Sequence, residues 1–191
     1  MAYIILASAS PRRRAFLSEL GLNFTVVPSA VEEHSGEGME PKAMVAENAR
    51  RKASDIFSKN PENWVIAADT TVELEGRIFN KPKSLDEASS MLRDLSGNTH
   101  SVHTAVCILG PNVTIKHTET STVTFNELNE ERIAEYFSIV CPLDRAGAYS
   151  VQDGADLIVS HYQGSFSNIA GLPMEWLVSV LKEHGLIKHS E

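Results

Sequence analysis

The chain has 191 residues, of which 42% are hydrophobic and 22% charged, a composition typical of a globular protein large enough to bury a core. Its net charge of −8 argues against a sequence-independent grip on the phosphates of duplex nucleic acid. The apolar runs are far shorter than the roughly 20 residues that span a bilayer, and no basic segment precedes an apolar one at the start. We therefore expect a cytoplasmic protein with no membrane partner.

The two cysteines, Cys107 and Cys141, lie in apolar contexts without a CxxC spacing or a histidine at ligand distance. This pattern predicts buried free thiols and indicates neither a disulfide framework nor a zinc site.

The first elements follow from short apolar runs and helix-start signals. Residues 3–7 form a continuous apolar run typical of a buried strand. Ser10 and Pro11 resemble a helix N-cap and first turn, and predict a short helix over 12–20 that Gly21 ends.

A second set of signals places a strand, a loop and a long helix. Residues 24–27 predict the strand, and the acidic, glycine-containing stretch 29–41 predicts the loop. Pro41 then begins a helix that runs to about residue 58.

The middle of the chain is dominated by strand signals. The predicted elements are a strand over 64–74 with two alternating faces, a short hairpin partner over 77–79, a helix over 85–95, and long strands over 99–109 and 113–125. Gly110, Pro111 and Asn112 separate the two long strands and predict a hairpin.

The last part of the chain predicts a helix from Asn129 or the residue before it to about residue 140, a loop rich in small residues, a strand over 157–162 and a helix over 173–184. Because long hairpins are inconsistent with a purely parallel sheet, we expect a mixed α/β fold with an elongated twisted sheet flanked by helices.

The segment LASASPRRR combines a predicted strand end, two serines and a helix start. The first N–H groups of a helix lack internal partners and carry positive potential, so they bind anions. Ser8 and Ser10 can donate hydroxyl hydrogen bonds, and Arg12 and Arg13 supply forked donors suited to phosphate. The pattern favours a polyphosphate site, although a solvated basic helix face explains the arginines alone.

Asp69 is expected to end a strand segment whose preceding residues are apolar, and a carboxylate where a buried strand emerges can bind a divalent metal or accept a proton from water. The alternative is a polar residue on the solvated half of a two-faced strand. Lys81, just past the predicted hairpin, could reach the same place.

On the helix containing AENARRKA, Asn48 and Lys52 lie one turn apart on one face, with Glu47 at its flank. Glu47 could bind a metal and Lys52 a phosphate, or the segment could be an ordinary charged helix surface.

Five blocks together resemble the Maf family of nucleotide pyrophosphatases, which is similar in fold to the inosine triphosphate pyrophosphatases. They are ASASPRRRAFLSELGLNF, Lys52-Ala53, ADTTVELEGRIFNKPKSLDEASSMLRDLSGNTHSVHTAV, PLDRAGAYSVQ and GSFSNIAGLP. They occur in the family's order over nearly the whole chain. The resemblance implies a single domain over 1–191 with two lobes around a central cleft, and a homodimer.

The resemblance also implies roles for individual residues. Asp69 would be the general base or the metal-linked catalytic carboxylate, beside Mg²⁺ or Mn²⁺. The residues that would bind the triphosphate are Ser8, Ser10, Arg12, Arg13, Lys52 and Lys81. Glu33 matches a recurrent family glutamate, and ENARRKA resembles the inosine-triphosphatase pattern in which the glutamate, here Glu47, binds the metal.

Three positions resemble the branch of the family that acts on dTTP and UTP rather than 7-methyl-GTP: Arg12, Thr70 and Gln152. The implied function is hydrolysis of dTTP, UTP and modified pyrimidine nucleotides to the monophosphate and pyrophosphate. Two other readings stay open, a nucleotide-binding regulator of septum formation and cell division, and an inosine-triphosphatase-like housecleaning hydrolase.

Overall fold

A computed structural model describes residues 3–187, which form a mixed α/β fold with helices on both faces of one seven-stranded sheet. The strands are β1 (Ile4–Leu6), β2 (Phe24–Val26), β3 (Trp64–Leu74), β4 (Arg77–Phe79), β5 (Thr99–Gly110), β6 (Val113–Phe125) and β7 (Val159–Gln163). The helices are α1 (Pro11–Glu19), α2 (Pro41–Lys59), α3 (Leu85–Leu95), α4 (Glu130–Ile139), α5 (Ala155–Ile158), α6 (Phe166–Ile169) and α7 (Met174–Glu183).

The sheet order is β2-β1-β3-β5-β6-β7, with β4 paired to β3. The strands β2, β1 and β3 are parallel, whereas every pairing from β3 to β7 is antiparallel. The long β5–β6 hairpin confirms the prediction of a mixed sheet. It extends the antiparallel part of the sheet well beyond the short parallel part.

Both faces of β3 are covered, which explains its nearly continuous apolar start. On one face, α2 packs its apolar positions, spaced by three and four residues, against Val65 and Ala67. On the other face, Ile66 and Ala68 pack with residues of α1 and α7. A third cluster joins the far ends of β3, β5 and β6 to α3 and α4.

Most of the predicted elements are confirmed, with ends that differ by one or two residues. The helix α3 and the strands β3, β4 and β6 have the predicted bounds. Within the part of the chain that the structure describes, no helix has the length and apolar character needed to cross a bilayer.

Two details of the predictions are wrong, namely the start of the strand near residue 157 and the burial of Cys141. The strand predicted over 157–162 is β7, Val159–Gln163, and residues 157 and 158 belong to α5. Gly154, with a φ of 60°, precedes α5, and its carbonyl accepts from the Leu157 N–H. Cys107 is buried as predicted, but Cys141, which directly follows the C-cap residue of α4, is exposed.

Candidate active site

A cleft of about 610 Å³ is lined by the turn after β1, the loops after β2, β4, α4 and α6, and the facing parts of α2 and β3. Its volume is in the range of small-molecule binding sites. The predicted site residues that line it are Ser8, Ser10, Arg12, Arg13, Glu33, Lys52, Asp69, Thr70 and Lys81. Residues that lie more than 100 positions apart in the chain meet here, such as Arg13 and Gly171, whose backbone carbonyl bonds to the Arg13 side chain.

Asp69 lies in the middle of β3 rather than at a strand end, because pairing with β5 continues as far as Glu73. Only 7% of its surface is exposed, which rules out the solvated-strand alternative. Lys52 Nζ donates to Asp69 Oδ1 over 2.7 Å, and Asn48 Nδ2 donates to Oδ2 over 2.9 Å. Because a buried carboxylate is costly unless it is paired and hydrogen-bonded, these two donors make its position tenable.

Lys52 joins two carboxylates. Its side chain projects from α2, is buried, and places Nζ 2.5 Å from Glu33 Oε1 as well as 2.7 Å from Asp69 Oδ1. Glu33, on the loop after β2, and Asp69, on β3, therefore meet at the same ammonium group. One cation between two carboxylates offsets much of their mutual repulsion.

The electrostatic surroundings of Glu33 favour its charged form. Burial alone raises the pKa of this carboxyl group, but the charge and hydrogen bond of Lys52 oppose that effect. Lys81 and Arg13 add further positive charge, so the pKa of Glu33 is lowered from its usual value. Glu33 is therefore an anion at neutral pH and available to a cation.

Asn48 is a site residue that sequence reasoning placed on the correct face but gave no task. Besides its bond to Asp69, its Oδ1 accepts from the His34 N–H over 2.8 Å and its Nδ2 donates to the His34 carbonyl over 3.1 Å. Asn48 thus attaches the loop that carries Glu33 to the strand that carries Asp69. The one-turn spacing from Lys52 was the available signal, but a neutral amide gave no reason to prefer a site role.

The serine turn after β1 has the geometry of a helix start. Ser8 Oγ accepts from the Ser10 N–H over 3.2 Å, and Ser10 Oγ caps α1 by accepting from the Arg13 N–H over 3.4 Å. Acceptance leaves each hydroxyl hydrogen available for another partner. The turn therefore presents hydroxyl donors and the positive end of α1 to the cleft.

Arg12 lies at another part of the cleft, with charged residues of the loop after α4. Its Nη1 is 3.9 Å from Asp144 Oδ2, and Arg145 contacts both Asp144 and Asp153. Burial and the nearby Arg145 lower the pKa of Arg12, and the two aspartates oppose that shift. Two guanidinium groups and two carboxylates therefore balance one another in charge here.

Three predicted residues lie at or beyond the edge of the cleft. Lys81 is exposed, and its charge acts on Glu33. Glu47 is held by Arg50 through contacts of 2.7 and 2.8 Å, and Gln152 is exposed. Glu47 and Gln152 are not among the described residues that line the cleft.

The family model described as Maf-like protein matches residues 3–184. A dTTP/UTP pyrophosphatase of Bacillus cereus is 42% identical over 186 residues, which cover 97% of this chain and 92% of that protein. A dTTP/UTP pyrophosphatase of Bacillus anthracis is 41% identical and is covered over 97% of both chains.

Solved structures give the same fold at low identity. A HAM1 protein from Coxiella burnetii has a TM-score of 0.57 and 17% identity, covering 96% of this chain and all of that one. The Staphylococcus aureus Ham1 protein has a TM-score of 0.54 and 17% identity, covering 95% and 99%. These likenesses concern the fold alone, whereas the family match spans nearly the whole sequence, and the chain belongs to the Maf-like protein family.

Proposed function

We propose that this protein is a nucleoside triphosphate pyrophosphatase that hydrolyses dTTP and UTP to the monophosphate and pyrophosphate. The observation that carries the proposal is the contact of the buried Lys52 with both the buried Asp69 and the half-exposed Glu33, in a cleft of nucleotide size. The substrate class is supported by relatives at 41–42% identity that are named dTTP/UTP pyrophosphatase.

The charges of the cleft divide into two groups. The carboxylate end consists of Glu33, Lys52, Asp69 and Lys81, which act on one another through direct bonds or charge. The arginine end consists of Arg12, Asp144, Arg145 and Asp153. We propose that the triphosphate binds at the carboxylate end and the base at the arginine end.

The residues of the carboxylate end fit a divalent metal ion. Glu33 and Asp69 both contact Lys52 Nζ, so two hard oxygen donors lie close to each other in the cleft. Mg²⁺ at nucleotide sites is usually bound by one or two carboxylates together with substrate phosphates. Among residues 3–187, no cluster of three or more His, Cys, Asp or Glu side chains could hold a metal, so phosphate oxygens would complete the shell.

Glu47 does not fit this role, since it is not among the described residues that line the cleft and is paired with Arg50 instead. We therefore propose Glu33 and Asp69, and not Glu47, as the protein ligands of Mg²⁺ or Mn²⁺.

The proposed reaction adds water to the α-phosphorus and breaks the bond to the bridging oxygen between the α- and β-phosphates. Bound Mg²⁺ or Mn²⁺ would supply charge neutralisation and a more acidic water. Asp69 orients the attacking water and accepts its proton, while Lys52 and Lys81 neutralise the charge that develops on leaving pyrophosphate. Ser8 and Ser10 donate to phosphate oxygens beside the N-terminus of α1.

At the arginine end, selection of the base would depend on hydrogen bonding rather than on net charge, because the two guanidinium groups are balanced by two carboxylates. Arg12 can donate to a carbonyl oxygen of uracil or thymine. Gln152 is exposed beside two cleft-lining residues, Ser150 and Val151, and would have to turn inward to pair with the base.

A panel of nucleoside triphosphates assayed for pyrophosphate release, with and without EDTA, tests the proposal. The expected result is preferred turnover of dTTP and UTP that EDTA abolishes and Mg²⁺ or Mn²⁺ restores. Preference for ITP or 7-methyl-GTP would reject the substrate assignment. Nucleotide binding without turnover would favour a regulatory protein instead.

The family resemblance also carries three proposals of location and assembly: a cytoplasmic protein, a homodimer, and a single domain divided into two lobes by the cleft. Size-exclusion chromatography with light scattering would test the homodimer.

A further inference from the structure

We infer that Arg13 is a positioning residue rather than a phosphate ligand, and that it fixes the strand segment carrying Asp69 together with Thr70 and Thr104. The inference rests on the proposed function, because it concerns the same cleft. It assigns to Arg13 a task different from the one that a basic residue at a helix start suggests.

The guanidinium group of Arg13 is directed at the protein. Its Nε donates to the Gly171 carbonyl over 2.8 Å, and Nη2 donates to Thr70 Oγ1 over 2.9 Å. Its Nη1 donates to the Ala68 carbonyl over 2.9 Å and to Ser8 Oγ over 3.3 Å. Arginine has five N–H donors, so these four contacts leave at most one for a ligand.

The hydroxyl hydrogens of Thr70 and Thr104 are also used in bonds within the protein. Thr104 Oγ1 donates its one hydrogen to the Asn168 carbonyl over 2.9 Å. In the 2.9 Å contact between Thr70 and Thr104, the hydrogen must therefore come from Thr70. Thr70 is then obliged to accept from Arg13, and the bonds run in one direction from Arg13 through Thr70 and Thr104 to Asn168.

This chain of bonds acts on the backbone next to Asp69. The Ala68 carbonyl that Arg13 holds belongs to the peptide unit whose nitrogen is that of Asp69. Lys52 Nζ approaches the same carbonyl oxygen at 3.5 Å. Arg13 therefore restrains the peptide plane that sets the direction of the Asp69 side chain.

The loop after α6 has a backbone conformation at Gly171 that leaves room for Arg13 and Thr70. Gly171 has a φ of +107°, a conformation that other residues rarely adopt, and a Cβ there would lie 3.4 Å from Thr70 Oγ1 and 3.8 Å from Arg13 Nε. Arginine suits this position because its planar fork reaches β3, the serine turn and this loop at once. A lysine ammonium group has a single donor atom and cannot reach all three.

The experiment compares kcat and KM for UTP with the Kd of α,β-imido-UTP, a non-hydrolysable analogue, in four variants. Arg13→Lys should lower kcat by about 100-fold, and Thr70→Val and Thr104→Val by about 3- to 10-fold, in keeping with the loss of charged or neutral hydrogen bonds. KM and Kd should stay within about twofold of wild type, because no substrate contact is lost. Thr70→Ser, which keeps the hydroxyl, should restore kcat.

One matched control lies outside the chain of bonds from Arg13 to Asn168, and the other is a residue that we propose acts on the phosphates. Thr99→Val removes a threonine of β5 that pairs with Thr124 at the surface and should leave kcat unchanged. Lys81→Met should raise the Kd of the analogue by about 10-fold, the size expected for a lost charged contact. A similar rise in Kd for Arg13→Lys, with kcat preserved, would overturn the inference.

A measurement on the unmodified protein covers the cases in which Arg13→Lys does not fold or UTP is not a substrate. The Arg13 Nε–H resonance should exchange slowly with solvent and keep its chemical shift when α,β-imido-UTP is added. Exchange at the rate of a free arginine would reject the positioning role independently of turnover.

Discussion

The carboxylate end and the arginine end of the cleft differ in burial and in the closeness of their ion pairs. At the carboxylate end, Lys52 and Asp69 are both buried and lie 2.7 Å apart, and Lys52 also contacts the half-exposed Glu33 at 2.5 Å. At the arginine end, the Arg12–Asp144 distance is 3.9 Å, and the Asp144 side chain is 59% exposed. Buried, short contacts fix geometry, whereas exposed pairs contribute roughly 0–1 kcal/mol. We therefore expect chemistry at the first end and adaptable recognition at the second.

The largest effect should follow from Asp69→Asn. The variant keeps the shape of the side chain but loses the negative charge that we propose orients water and metal, so kcat for UTP should fall by about 1,000-fold or more. The Kd of α,β-imido-UTP should change by only a few fold. Turnover equal to wild type in a pyrophosphate-release assay would remove Asp69 from the mechanism.

Lys52→Met should lower kcat by about 100-fold, because it removes the charge stabilisation that we propose for the leaving group. It also leaves two carboxylates without their common cation, so the free energy of unfolding should fall, as expected for breaking a buried pair. Lys59→Met is the matched control, since Lys59 lies on the same helix and pairs with Asp55 at the surface. Equal losses of activity in the two variants would contradict the distinction between buried and exposed pairs.

Two glutamates provide a direct comparison of metal binding. Glu33→Gln should raise the Mg²⁺ concentration needed for half-maximal activity by about 10-fold, the size expected for one lost charged contact. Glu47→Gln should leave it within about twofold, because Glu47 is paired with Arg50 outside the cleft lining. A metal titration of both variants decides between them, and a reversed result would assign the metal to the α2 surface.

The smallest effect should come from Asp144→Asn at the arginine end. Loss of a long, exposed ion pair is worth at most about 1 kcal/mol, so kcat/KM for UTP should change by less than about fivefold. Ratios of kcat/KM for UTP and CTP should move more than kcat itself. A loss as large as that of Lys52→Met would show that both ends share the chemistry.

The comparison also separates what sequence could predict from what it could not. Local signals predicted the helix start at Ser10 and the long hairpin, because capping and turn residues act over a few positions. The convergence of Lys52 and Asp69 was predicted through the family resemblance, and the structure places them 2.7 Å apart.

The residues whose roles the sequence did not reveal depend on hydrogen bonds to residues distant in the chain. Asn48 and Thr104 gain their tasks only from partners 14 to 64 positions away, such as His34 and Asn168, and a neutral polar residue gives no local sign of such bonds. The short helices α5 and α6 were missed because four-residue segments carry too little periodicity to be recognised.

The most direct test of the central claim is hydrolysis of UTP in ¹⁸O-labelled water with Mg²⁺, followed by mass spectrometry of the products. Attack on the α-phosphorus at the carboxylate end predicts UMP that carries one ¹⁸O atom and unlabelled pyrophosphate, and Asp69→Asn should form neither at a comparable rate. Formation of UDP and labelled inorganic phosphate, or of labelled pyrophosphate with unlabelled UMP, would contradict it.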